Sequence, residues 1–250
     1  MQKILTCVMD IGEQMLISGA EVNRVEESII RMSHALGAER IEIFIITASM
    51  VATIYDKDGN CWSQTRRINS LGNDFEKIHR LNKLSRMICQ QKPSAEIIRE
   101  ELNKALDTKS YPFWMELSAY AVIAACFAIF FGGGVAEALV SLVIGAVTCL
   151  LITASEKIIS NKIFSKFLSS LAATLLAYVA FHLGLVNKID AVIIGNIMTL
   201  IPGIGLTNAF RDLFTGDSIT GILRTTEAAL TALAIAAGYL LVAAFGGAVL

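Results

Sequence analysis

A chain of 250 residues that is 54% apolar and carries a net charge of −1 offers no basic surface for nucleic acid. Its charges are unevenly spread: 15 of the 21 Lys and Arg, and 15 of the 22 Asp and Glu, fall in residues 1–110. The rest of the chain holds only 13 charged side chains, too few for a soluble domain of that length and in keeping with membrane spans.

Residues 2–17 place Ile4, Leu5, Val8, Ile11, Met15 and Leu16 at helical spacing. Lys3, Asp10 and Glu13 interrupt any continuous apolar core there, so a helix is expected and not a secretory signal. After Ser18-Gly19 a second helix presents Val22, Val25, Ile29, Met32 and Leu36 on one face and closes at Gly37, a residue suited to the left-handed position after a helix. Its polar face carries Glu21, Arg24, Glu27, Arg31 and His34, with Glu27 and Arg31 spaced to pair one turn apart.

The period then changes. Ile41–Ile46, Val51–Tyr55 and Cys61–Ile68 read as strands, rich in β-branched and aromatic residues. Asp56-Lys57-Asp58-Gly59-Asn60 between two of them reads as a hairpin turn. Its glycine stands at the fourth position, not the sixth, and no Glu closes a twelve-residue loop, which excludes a calcium loop. A helix over Asp74–Gln91 follows, and Ser94 after Pro93 is placed to cap another through Asp107. Residues 1–110 thus form an α+β domain.

This domain shows no nucleophile elbow, phosphate loop or metal-ligand pair around Ser18, Glu21, Arg24, Glu26, His34 or His79, so catalysis is not expected there. Cys7, Cys61, Cys89, Cys126 and Cys149 form no Cys-x-x-Cys pair and no zinc spacing, and read as reduced thiols. Neither a metal nor a cofactor is expected.

Residues 111–250 form a membrane domain of five spans, the fourth broken. The first span is expected over Phe113–Phe131, with Tyr111 and Trp114 as interfacial aromatics. A Gly132–Gly134 turn leads to a second over Val135–Ala154, which opens with Glu137. A polar loop over Ser155–Lys166 precedes the third, Phe167–Val186, which carries His182 near its end. The fourth segment, Ala191–Ile201, covers about 16 Å at 1.5 Å per residue, short of a hydrocarbon core about 30 Å thick. Pro202-Gly203-Ile204-Gly205 breaks it, and Leu206–Phe214 follows as a half-helix with Thr207 as its N-cap. Gly216 ends that half-helix, Asp217 caps the next, and the fifth span runs over Thr225–Ala244.

Broken backbone cannot face lipid, so at membrane depth it is expected to line a cavity where a polar solute sits. With a cytoplasmic N-terminus, inside loops hold Lys157, Lys162, Lys166, Arg211 and Arg224 and outside loops hold Lys188 alone. This bias favours residues 1–110 in the cytoplasm and the C-terminus outside, in a multi-pass cell-membrane protein. Spans rich in Gly, Ala, Ser and Thr allow close helix approach and association with another chain or with copies of this one.

Pro202-Gly203, Thr207-Asn208, Arg211-Asp212 and Gly216-Asp217, together with Leu16 to Glu26 (Leu-Ile-Ser-Gly-Ala-Glu-Val-Asn-Arg-Val-Glu), resemble the signature of the threonine/serine exporter family. The domain order between the two motifs fits as well. Val22-Asn23 departs from the Thr and the aromatic or His expected there, so no role is carried over to those two side chains. The resemblance is to the larger, five-span subunit of the family's split form. It implies a smaller membrane subunit as partner, or a homo-oligomer, and export of a small amino acid or dicarboxylate across the bilayer.

The residues that would hold such a solute are Asn196, Pro202, Gly203, Thr207, Asn208, Arg211 and Asp212. Arg211 would grip a carboxylate in bidentate fashion, and Asp212 would pair with Arg211 or take an amino group or a proton. Asp217, Glu137 and Glu227 are candidates for coupling or gating, and Gly19, Glu21, Arg24 and Glu26 make up the cytoplasmic-domain motif. The alternative is a membrane-tethered ligand-sensing or regulatory subunit of a transport complex. A hydrolase on a membrane anchor would need no broken span.

Overall fold

The computed structural model describes residues 1–69, 71–107, 111–158 and 161–249. It divides into two compact units. One comprises Met1–Lys109 together with Leu206–Thr225, and the other Ser110–Gly205 with Thr226–Leu250.

The first unit is built around α1 (Gln2–Ile17), whose Leu5, Val8, Met9, Ile11, Met15 and Leu16 are buried. Taking side chains of this size out of water stabilises the fold by about 1.5–3 kcal/mol each. Against α1 pack α2 (Val22–Ala35), α3 (Phe75–Gln91), α4 (Ala95–Leu106) and an antiparallel sheet of β1 (Arg40–Ile46), β2 (Ser49–Tyr55) and β3 (Cys61–Arg67) in the order β1-β2-β3. Alternation along β2 buries Met50, Ala52 and Ile54 toward the helices. Arg66 of β3 clamps the sheet to α1, 2.9 Å from Asp10 and 3.4 Å from Glu13.

Local rules account for the ends of these elements. Asp56 accepts backbone N–H bonds from Asp58 and Asn60, both 2.9 Å, closing the hairpin turn. Asp74 caps α3 by accepting from the Lys77 N–H. Ser94 stands at the N-cap of α4, but its side chain makes no capping bond. Glu27 and Arg31 pair as their spacing requires, at 3.2 Å.

The second unit holds α5 (Phe113–Phe130), α6 (Val135–Ile158), α7 (Lys162–His182), α8 (Ile189–Ile197) and most of α10 (Ser218–Val249). Among the described residues four helices are long and apolar enough to cross a membrane: α5, residues Val135–Ser155 of α6, α7, and Ser218–Phe245 of α10. The fourth of the five expected spans is not among these four. That segment is divided between α8, nine residues long, and α9 (Gly203–Thr215).

Several expected boundaries shift. The polar stretch expected as a loop over Ser155–Lys166 is mostly helical, because Ser, Lys and Glu are compatible with helix ends and Asn161 caps α7 by accepting from the Ile163 and Phe164 N–H groups. Part of that stretch, residues 159–160, lies outside the described residues. The helix α9 starts at Gly203, directly after Pro202, so Thr207 is not an N-cap but sits one turn inside. Proline with its fixed φ is suited to a helix start, which explains the earlier beginning. The helix α10 opens at Ser218, directly after Asp217 as expected, and its stretch apolar enough to cross a membrane begins there too, seven residues before the expected start of the fifth span.

The membrane helices approach closely through small residues. A Cβ at Gly195 of α8 would lie 2.7 Å from the Ala128 nitrogen and 2.9 Å from the Ala124 oxygen of α5. Backbone cannot yield as a side-chain tip can, so Gly195→Ala should cost about 1–3 kcal/mol. Gly203→Ala, with open space around its Cβ, should be close to neutral. Thermal unfolding of the two variants in detergent checks this, and equal midpoints would refute the α5–α8 contact.

Ser170 of α7 donates to the Ile235 carbonyl of α10 at 2.7 Å. Glu137 is buried and accepts from the backbone N–H of Gly134 (2.8 Å), Asn187 (2.9 Å) and Lys188 (3.1 Å). It ties the start of α6 to the turn before α8, and Lys188 donates to the Gly132 carbonyl at 2.7 Å in the same place.

Candidate functional site

The turn between α1 and α2 follows from its sequence. Gly19 adopts φ +94°, its N–H bonds the Leu16 carbonyl, and the Ala20 N–H bonds the Met15 carbonyl, both at 3.0 Å. This is the pairing that closes a helix with a left-handed glycine. The loop before α3 is stitched to the same end, with Gly72 N–H on the Ile17 carbonyl (2.8 Å) and Asp74 N–H on the Ser18 carbonyl (2.9 Å). Glu21 then becomes the N-cap residue of α2.

Onto this turn packs α9, about 190 residues away in sequence. The Asn208 side-chain amide reaches the Gly19 carbonyl at 3.5 Å, a long contact. Arg211 forms an ion pair with Glu21. Asp212 is fully buried, faces the Val22 N–H at the start of α2 and pairs with Arg224 of α10 at 2.9 Å. Arg224 is itself 8% exposed.

Arg211 and Asp212 therefore take different partners and do not pair with each other. Neighbours on a helix point about 100° apart, so they face different groups. Neither Asp212 carboxylate oxygen makes a well-aligned hydrogen bond, and one oxygen of Asp217 is also buried without one. Burial pushes the Asp212 carboxyl above its ordinary range against the pull of Arg224. It raises Glu26 too, and the charge of Asp217 adds to that.

One unit thus gathers Gly19, Glu21, Glu26, Asn208, Arg211, Asp212, Asp217 and Arg224, with Thr207 on the same helix α9. Arg24 also lies in this unit but is exposed on α2. Asn196, Pro202, Gly203, Glu137 and Glu227 lie in the other unit. Asn196 is buried, donates to the Val192 carbonyl at 2.9 Å and leaves its own oxygen without a hydrogen bond. Glu227 is exposed on α10.

Arg224 is the residue the sequence reading missed as a site member, having counted it only as a loop charge. Its signal was present: an arginine at the start of an apolar helix calls for a partner, and Asp212 stands just across the Gly216 turn.

Four helices long and apolar enough to cross a membrane, with a small α+β unit that carries the Glu21–Arg211 and Asp212–Arg224 pairs, describe a multi-pass membrane protein with a soluble domain. The family described as "Putative threonine/serine exporter" matches residues 6–246, and the chain belongs to it. It is 24% identical over 225 residues to the "Probable succinate transporter subunit YjjP" of Klebsiella aerogenes, covering 90% of this chain and 86% of that protein. To the protein of the same name in Escherichia coli it is 23% identical over 228 residues, covering 91% and 88%. To the "Threonine/serine exporter" of Corynebacterium glutamicum it is 23% identical over 248 residues, 94% of this chain and 50% of that one. No solved structure matches.

Proposed function

We propose that this chain is one subunit of an exporter for a small carboxylate-bearing solute, an amino acid or a dicarboxylate, and that the junction of the α1–α2 turn with α9 handles the solute's carboxylate. One observation carries this reading: Arg211 is half-exposed and already holds a carboxylate, that of Glu21. A guanidinium in that setting binds a solute carboxylate by the same planar fork. Asn208 and Thr207 on the same helix supply neutral hydrogen-bonding groups. The solutes in the relatives' names, threonine, serine and succinate, all carry carboxylates, and the word "subunit" in two of those names supports a membrane partner.

In this reading residues 1–110 lie in the cytoplasm. The nine residues of α8 and the turns that follow it make a short fourth crossing, and α10 carries the chain outward. Leu250, expected outside, falls beyond the described residues. Asp217, with a buried carboxylate oxygen lacking a hydrogen bond, is the coupling or gating candidate best placed near the junction. The three backbone bonds to Glu137 favour a stapling role for that residue.

A regulatory subunit is the second reading. It is favoured by Arg211 and Asp212 being tied to groups of their own unit. Flux separates the two. Vesicles loaded with labelled succinate, threonine or serine should release at least one of them saturably when this chain is present with its membrane partner. Arg211→Lys should slow that release roughly ten- to a hundredfold at limiting solute, the loss of a charge-assisted contact of about 1.5–3 kcal/mol, without loss of insertion. No release of any of the three, or an unimpaired Arg211→Lys, would overturn the transport reading of this site.

A further inference from the structure

One face of α9 has no partner among the described residues. Leu206, Phe210 and Phe214 recur four residues apart and fall within one arc of the helix. They are 38%, 47% and 87% exposed. Ile219, Ile222 and Leu223 extend the apolar surface onto the first turns of α10 in the same unit. The opposite face of α9 carries Ala209 and Asp212, both buried, and Asn208 turns toward Gly19.

Chain connectivity says what covers this face. Five residues, 198–202, separate α8 from α9, and they reach at most about 18 Å when fully extended. At the other end only Gly216 and Asp217 separate α9 from α10, whose Ser218–Phe245 stretch is long and apolar enough to cross a membrane. Helix α8 is itself packed against α5, with no room for a Cβ at Gly195. Both ends of α9 are therefore held within a short tether of membrane-crossing helices. Phenylalanines that exposed cannot remain in water without cost when a bilayer surface lies within reach.

We propose that α9 lies flat in the membrane interface, with Leu206, Phe210 and Phe214 sunk among the lipid acyl chains just below the head groups and its Asn208–Asp212 face turned to the α1–α2 motif. This is how an amphipathic helix binds a bilayer surface, its apolar side entering about 5–10 Å. Arg211 sits on the flank between the two faces, where an arginine stem covers apolar surface and its head group stays in the polar layer. The Glu21–Arg211 ion pair is then at head-group depth, and the motif of the α+β unit docks on a helix that the bilayer itself holds. The inference stands independently of which solute is carried, or of whether any is.

The test is fluorescence quenching on the full chain in vesicles of phosphatidylcholine and phosphatidylglycerol. Trp62 and Trp114 are replaced by Phe, and a single Trp is introduced by Phe210→Trp or Phe214→Trp. Lipids brominated near the head-group end of the acyl chain should remove roughly half of the emission, more than lipids brominated near the chain terminus, while aqueous iodide should have little effect. Quenching by iodide but not by bromine would place the face in water. Quenching by neither would mean another protein surface covers it, and strongest quenching by the deep bromines would mean α9 inserts into the bilayer. Each of these results overturns the proposal. A nitroxide on Phe214→Cys, with the five native cysteines replaced by Ser or Ala, gives the same answer through its accessibility to oxygen and to a water-soluble nickel chelate, should the Trp variants not fold.

Discussion

Replacing Asp212 with Ala is expected to destabilise the first unit by about 3–5 kcal/mol, because it leaves the Arg224 guanidinium buried with no counter-charge. For a unit of this size that lowers the unfolding midpoint by on the order of 10 °C. The double variant Asp212→Leu/Arg224→Met should recover most of the loss, since a buried ion pair and a well-packed apolar pair of similar volume are often close in free energy. Thermal unfolding of the solubilised protein, followed by far-UV circular dichroism, measures both. An Asp212→Ala variant as stable as the parent would show that the two side chains do not form a buried pair. A double variant as damaged as the single would show that the junction depends on these charges for more than their mutual compensation.

The second large effect is at Gly19. A Cβ there would lie 2.5 Å from the Gly72 carbonyl and 2.8 Å from the Asn73 side-chain oxygen, and the backbone φ of +94° already disfavours any side chain. The conformation alone costs roughly 1–2 kcal/mol, and forcing the loop away adds roughly 1–3 kcal/mol. Gly37 provides the control: it has φ +98° in an equivalent helix-closing position, with open space around its Cβ. Gly37→Ala should cost only the conformational part, so the difference between the two variants isolates the packing of the turn. Gly19→Ala should also lower transport beyond its effect on protein level, because it displaces Glu21 from Arg211. Matching losses of stability in the two variants would remove the crowding from the explanation.

Periodicity made much of this fold legible. The apolar face of α1, the alternation of β2 and the left-handed glycine after α2 each follow from spacing within a few residues. So did the interruption at Pro202. Less legible were the helix ends near the membrane surface, where Ser, Lys and Glu are at ease in helix or loop, so that α6 and α7 run into a stretch that reads as polar loop. The span count differs for a separate reason: the short fourth segment counted from the sequence is, as the nine residues of α8, below the length of a crossing helix.

The candidate site shows a different limit. Both motifs stood out in the sequence, yet nothing in local spacing tells that Glu21 meets Arg211, or that Asp212 turns to Arg224 and not to its neighbour in sequence. Those pairings depend on where α9 packs. Similarly, an amphipathic pattern over Leu206–Phe214 does not distinguish a half-helix lining a pathway from one lying on a surface. The burial of Asp212 and the exposure of Phe214 give the helix its orientation.

The central claim is that the α1–α2 motif and α9 act as one carboxylate-handling site. A double-mutant cycle on solute efflux from vesicles tests it most directly, with Glu21→Gln, Arg211→Gln and the two combined. If the residues work together, each single variant slows efflux and the combined variant is no slower than the worse of the two, the non-additivity expected of groups in contact. Losses that multiply in the combined variant would contradict it, for they would mean that Glu21 and Arg211 serve transport separately.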